Sequence, residues 1–259
     1  MGILNVTPDS FADGGRHNTF AIALARAEEM ILEGADIIDI GGESTRPGAE
    51  RVSVDIEKDR TIPLITELQS RGIPLSIDTM RAEVAEAAIS AGATIVNDVS
   101  GGLADPAMAP LIARNKSVQY VAMHWRGHSR DMQDKAHYKD VVKEVKEELD
   151  ERISQLLEAG IDGEQLIIDP GIGFAKTAEQ NWELLRNLNR LELLGYPILV
   201  GASRKRFLGE LLERENPDDR EDATIALTTE LARQRVWAVR THAVRAHRDA
   251  IAVIEELKK

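Results

Sequence analysis

Residues 75–98 read LSIDTMRAEVAEAAISAGATIVND. A short aliphatic run, 75–77, ends on Asp78. A stretch with apolar residues at three and four spacing, 82–91, follows and stops at Gly92. A second aliphatic run, 95–96, ends on Asn97 and Asp98. The runs are too short for helices, rich in branched residues and continuous rather than alternating, as in parallel strands buried on both faces. Gly92 falls where a helix C-terminus favours a left-handed residue. The segment therefore reads strand, helix, strand.

The same unit recurs along the chain. Aliphatic runs occupy 3–6, 37–40, 75–77, 95–96, 118–123, 166–168, 198–200 and 237–239. Amphipathic stretches at 21–33, 56–69, 82–91, 138–159, 178–194, 223–235 and 246–257 separate them, and Gly34, Gly72, Gly160 and Gly195 punctuate them as Gly92 does. Eight strand-helix units make either a closed barrel or a large doubly wound sheet. No GxGxxG follows the first run to favour the sheet. The expectation is an α/β (β/α)8 TIM barrel forming a single domain over residues 1–259, a size typical of that fold.

Composition narrows the function. With 43% hydrophobic and 29% charged residues the chain is globular, and a net charge of −12 argues against a sequence-independent nucleic-acid binder. A small-molecule substrate is expected, with no nucleic acid and no membrane as partner. The chain has no cysteine, which excludes disulfides, thiolate metal sites and a cysteine nucleophile and suits a reducing cytoplasm. No apolar stretch approaches bilayer length and no secretory leader pattern is present. The first run follows Met1 directly, so nothing is expected ahead of it to close the barrel floor.

Barrel enzymes place their chemistry at the C-terminal ends of the strands. Here those ends carry Asn5, Asp39, Asp78, Asn97 with Asp98, His124, Asp169, Ser203 to Lys205, and Arg240 with His242. Any one could simply cap the next helix. Eight together suggest a ligand with both a hydrogen-bonding heterocycle and an anion. Ser203, Arg204, Lys205 and Arg206 put a hydroxyl and three cations at a helix start, which suits an anion. Arg240 and His242 alternate, so both are expected to point one way, with Thr241 opposed, toward a diphosphate-like group. Truncating Arg240 is then expected to spare binding of a bare heterocycle. In DPGIGFAK, 169–176, the spacing is not that of a Walker motif; the glycines let backbone approach a flat ligand, with Asp169 accepting two parallel N–H donors. His124 and His128 have a metal-compatible spacing but lack an evident third ligand, so zinc is not expected. NVTPDSFADGG and GGESTRPGAE read as mobile loops over the mouth.

Together GILNVTPDSFADGG, DIIDIGGESTRPGA, SIDTMRAEVAEAA, NDVSGG, MHWRG, DPGIGF, GASRKRFLG and RTH resemble the dihydropteroate synthase family, in its order and over nearly the whole chain. The resemblance implies a synthase that condenses 6-hydroxymethyl-7,8-dihydropterin diphosphate with p-aminobenzoate, releasing diphosphate with Mg2+. It implies that Asp78, Asn97, Asp169 and Lys205 hold the pterin, and that Asn5 helps hold magnesium. Arg240 and His242, with Thr45, bind the diphosphate, and Arg46 is a further substrate-binding residue. Asp78 and Asp13 face developing positive charge, and Phe11, Pro47 and Phe174 line the amine pocket. It further implies a homodimer formed through the later helices.

Two departures stand out. The family usually reads RVHDV at the last strand, where this chain has Arg240, Thr241, His242, Ala243 and Val244, so a helix cap or the orientation of His242 is expected to suffer. The family also usually carries a short segment before GILNV. A rival reading is a pterin-binding paralogue with a binding or regulatory role; retention of Lys205, Asp169 and Arg240 weighs against it. A barrel that takes methyl groups from methyltetrahydrofolate is disfavoured by the SRK and RTH motifs.

Overall fold

The structure is a computed structural model describing residues 1–7, 16–44, 51–128 and 132–259. Among these, strand and helix alternate as β1 (Gly2–Asn5), α1 (Arg16–Leu32), β2 (Ile38–Gly41), α2 (Val54–Leu68), β3 (Leu75–Asp78), α3 (Ala82–Ala91), β4 (Ile95–Asp98), α4 (Met108–Arg114), β5 (Gln119–Met123) and α5 (Val141–Glu158). They continue as β6 (Leu166–Asp169), α6 (Ala178–Arg186), α7 (Asn189–Glu192), β7 (Leu199–Val200), α8 (Arg206–Leu212), α9 (Glu221–Arg233), β8 (Ala238–Val239) and α10 (Val244–Leu257).

Strands β1 to β6 pair in parallel in sequence order, and β7 pairs with β8. Two single bridges complete the ring: Ile168 with Ile198, and Gly2 with Thr241. Ile3 N–H donates to Thr241 O and Thr241 N–H to Met1 O, joining the last strand to the first. The chain is thus the (β/α)8 barrel expected from its eight units.

Side-chain parity divides the barrel into two cores. Met1, Ile37, Ile95, Val121, Ile167 and Leu199 pack together as one buried cluster with Ala238 against it, filling the barrel's lower interior. Their neighbours one residue along, such as Ile38, Val96, Tyr120, Ile168 and Val200, face the helices in the larger cluster. One more step of two from the inner layer brings Asp39, Asn97, Met123, Asp169 and Gly201 to the inside of the mouth, with Asp78 inward on β3.

Parity also explains Asp98, which a reading of strand ends alone groups with Asn97. It faces outward, where it accepts from Ser100 N and Oγ, Gly102 N and Tyr120 OH. It braces the turn after β4 instead of offering itself to a ligand.

Several boundaries depart from the periodicity. The helix expected over 178–194 breaks at Asn187, whose Nδ2 donates to Glu183 O and so competes with the helical backbone. The one expected over 138–159 starts at Val141, because Asp140 caps it by accepting from Lys143 N. Trp237 lies outside β8.

Tyr120→Phe should reduce the unfolding free energy by about 1–3 kcal/mol, because Asp98 loses one buried donor. Denaturant unfolding measures this. Pterin affinity should be unchanged, since Tyr120 is on the helix-facing side.

Candidate active site at the barrel mouth

The centre of the mouth is an ion-pair system built from three strand ends. Arg240 Nε donates to Asp39 Oδ2 at 2.5 Å and its NH2 group to Asp78 Oδ2 at 2.7 Å. Asn97 Nδ2 also donates to Asp39 Oδ2, at 3.0 Å. One guanidinium thus serves two buried carboxylates, and the far oxygens, Asp39 Oδ1 and Asp78 Oδ1, are buried without a hydrogen-bond partner among the described residues. Such acceptors are uncommon and point to a donor-bearing ligand.

The electrostatics follow from the ratio of charges. Burial pushes the Asp78 carboxyl up to about 7; Arg240 opposes that shift and Asp39 adds to it. Arg240 itself is raised, because Asp39 and Asp78 outweigh the burial that works against its charge.

Asp169 at the end of β6 is raised by burial, with Lys205 pulling the other way. Its Oδ1 accepts from Gly171 N at 2.7 Å, which folds the following turn back over the strand end. A Cβ on Gly171 would lie 2.6 Å from His124 O, so only glycine permits this approach. Lys205 donates to Ile172 O in the same turn, and its Nζ stands 4.4 Å from the centre of the Phe174 ring. Burial lowers Lys205 to about 8 while Asp169 resists. Asp78, Asn97, Asp169, Lys205 and Phe174 therefore gather at one mouth, as the sequence predicts.

Other expectations need correction. Of the three cations at 204–206, Lys205 alone turns to the strand ends. Arg204, with φ 57°, pairs with Glu221 and Asp218, and Arg206 is exposed beside Glu210. Arg240 and His242 also meet different partners among the described residues. His242 Nδ1 lies 2.9 Å from Ser203 Oγ, and its carbonyl accepts from Arg26 NH2 at 3.1 Å. Arg240 pairs with Asp39 and Asp78, so truncating it should disturb the carboxylate floor as well as any anion. Ala243 occupies the N-cap of α10 with no side-chain cap, which is the loss expected from the missing aspartate. Ser203 and Arg26 nevertheless hold His242.

A cleft of about 360 Å3 opens beside His242, lined by Arg26, Glu33, Arg204, Ala243 and Arg245. A larger hollow of about 730 Å3 lies at the start of α5, around Tyr138, Lys143 and Gln180, away from the carboxylates. The site belongs with the strand ends, where the unpartnered acceptors are. Asp13, Thr45, Arg46, Phe11 and Pro47 lie outside the described residues.

Asn5 Oδ1 and Asp78 Oδ2 both flank Gly41, each 3.6 Å from where its Cβ would be. Among the described residues no three His, Cys, Asp or Glu side chains cluster as a metal site. A hard amide oxygen with so few protein ligands fits Mg2+, which keeps waters and takes oxygens from a phosphorylated substrate.

Asp39 is seen at a strand end in the sequence but earns no role there. It shares the inward parity of Asp78 but lies opposite Ser76, two residues lower in the ladder, and an aspartate of that parity inside an aliphatic run is the signal that marks it.

The pattern of the family described as pterin binding enzyme matches residues 1–242. The chain is 50% identical to the dihydropteroate synthase of Mycobacterium leprae, covering 98% of this chain and 91% of that protein. Its fold is similar to that of Xanthomonas albilineans dihydropteroate synthase with 4-aminobenzoic acid, at TM-score 0.93 and 45% identity over 100% of this chain and 92% of that one. The Xanthomonas albilineans enzyme in complex with 7,8-dihydropteroate gives a TM-score of 0.90 and 42% identity over 100% and 92% of the two chains.

Asp78→Asn keeps the shape and removes the charge. Between the usual carboxylate range near 4 and about 7, folded Asp78 holds a proton that the unfolded chain has released, so this group costs stability as pH rises through that window. The variant should gain stability relative to wild type, on the order of a few kcal/mol, above about pH 7 and not below about pH 4. Urea unfolding at the two pH values is the check.

Proposed function

Since the chain belongs to the pterin-binding enzyme family, as a relative of the dihydropteroate synthases, we propose that its mouth seats the pterin among Asp78, Asn97, Asp169 and Lys205. The protein is a transferase that joins 6-hydroxymethyl-7,8-dihydropterin diphosphate to p-aminobenzoate, giving 7,8-dihydropteroate and diphosphate. The observation that carries the assignment of residues is the pair of buried, unpartnered oxygens on Asp39 and Asp78 beside Asn97. A pterin edge brings N–H donors that such acceptors lack.

The carbon-oxygen bond to diphosphate breaks with its electron pair leaving on the diphosphate, and the electron-rich dihydropterin spreads the resulting positive charge. The amine nitrogen then supplies the pair for the new carbon-nitrogen bond and loses a proton. Asp78 and Asp169 stand on the pterin side, where their negative charge favours this separation. Asp13 is assigned to the same side. Arg240 and His242, with Thr45, receive the diphosphate, and Arg46 also binds substrate. Phe174 and the start of α8 after Lys205, with Phe11 and Pro47, flank the amine. Asn5 would hold Mg2+ together with the substrate, and the ion would neutralise charge on the leaving diphosphate.

The later helices suit a homodimer: α10 leaves Val253 and Leu257 exposed, at 60% and 74%. The absence of cysteine favours a cytoplasmic setting. Among the described residues no helix is long and apolar enough to cross a membrane.

The purified protein with pterin diphosphate, labelled p-aminobenzoate and Mg2+ should form labelled dihydropteroate; no product contradicts the proposal. Asp169→Ala should weaken pterin binding at least about 100-fold by calorimetry, since a buried charged acceptor is lost. Near-normal affinity removes Asp169 from the pterin site.

A further inference from the structure

Behind the Asp169 turn lies a buried polar chain that the reaction does not use. Lys176 is 3% exposed, and its Nζ meets three acceptors: Gly171 O and Phe174 O at 3.1 Å, and His124 Nδ1 at 3.0 Å. An ammonium carries only donors, so Nδ1 is the acceptor and the ring proton sits on Nε2. Nε2 then donates to Glu148 Oε2 at 2.9 Å, and the same oxygen accepts from Arg126 Nε at 3.0 Å. Burial and the neighbouring Lys176 hold the His124 imidazole down at about 4, which keeps it neutral and able to accept. Burial also lowers Lys176, to about 7, with Asp169 opposing. The chain runs unbroken from α5 through the end of β5 to the turn.

The two carbonyls gripped by Lys176 bracket Gly171 to Phe174. From the opposite side, Asp169 accepts from Gly171 N, Asn181 Oδ1 accepts from Gly173 N, and Lys205 donates to Ile172 O. We infer that Lys176 and His124 are positioning residues for the pterin floor, setting the height of the Gly171–Phe174 turn against Asp169 and Lys205 without touching substrate. This rests on the assignment of Asp169 to the pterin site. Burying an amine is costly unless every proton is bonded, and the three bonds here are spent on the turn and on a histidine fixed in one tautomer.

The test uses the full chain and the pterin diphosphate. Lys176→Met, if it folds with a cooperative thermal transition, should raise the calorimetric Kd and the KM for pterin diphosphate about tenfold, the scale of one lost charged hydrogen bond, with kcat changed less than about twofold. His124→Asn sets an amide oxygen close to the Nδ1 position and should retain affinity, whereas His124→Leu should match Lys176→Met. A folded Lys176→Met with wild-type pterin affinity, or a loss confined to kcat, overturns the inference. If Lys176→Met does not fold, the histidine pair decides, and equal affinity of His124→Asn and His124→Leu overturns it. A wild-type protein that fails to bind pterin diphosphate overturns the pterin assignment itself, and the inference with it.

Discussion

A single guanidinium shared between two buried carboxylates governs the mouth of this barrel. Arg240 reaches from the end of β8 to Asp39 on β2 and Asp78 on β3, both facing inward. The last strand is thereby tied to the second and third. The closure of β8 on β1 through Gly2 and Thr241 makes that reach possible. Buried ion pairs are poor sources of stability, because desolvation offsets attraction, so their retention calls for another reason. Here the pair leaves one carboxylate oxygen on each aspartate without a partner among the described residues, which suits the proposed pterin site.

The surrounding groups are arranged around that surplus. Asn97 spends its amide N–H on Asp39, and Asp169 is steadied by Gly171 and balanced by Lys205. On the far side of the turn, Lys176 and His124 form a second layer that sees no solvent. Asp98, one residue from Asn97, shows what a strand-end aspartate becomes with the opposite parity: fully bonded to its own turn and closed to ligands. Parity along a strand separates chemistry from scaffolding here.

Much of this was legible in the sequence, for definite reasons. Eight continuous aliphatic runs alternate with helical stretches, five of them ended by a glycine, and buried parallel strands have no other signature of comparable strength. Asp78, Asn97, Asp169 and Lys205 stand directly after those runs, so their convergence follows from barrel closure. What stayed hidden depends on contacts distant in sequence. Nothing local tells that Arg204 pairs with Glu221 and Asp218 while its neighbour Lys205 turns inward, or that Arg240 is engaged by carboxylates when no ligand is bound. Lys176 is in plain view in DPGIGFAK, yet only the fold brings His124 and Glu148 behind it. The RTH segment shows both cases: the missing cap at Ala243 is read directly from sequence, whereas the support of His242 by Ser203 and Arg26 is not.

The claim on which the rest depends is that one guanidinium shared between Asp39 and Asp78 leaves Asp78 poised to change charge near neutrality. Carbon-detected NMR of aspartate-labelled protein, free of ligand, follows each carboxyl directly through a pH titration. The account predicts a resonance, absent from Asp78→Asn, with its midpoint at about 7. A midpoint for that resonance in the ordinary aspartate range, about 4, would contradict it.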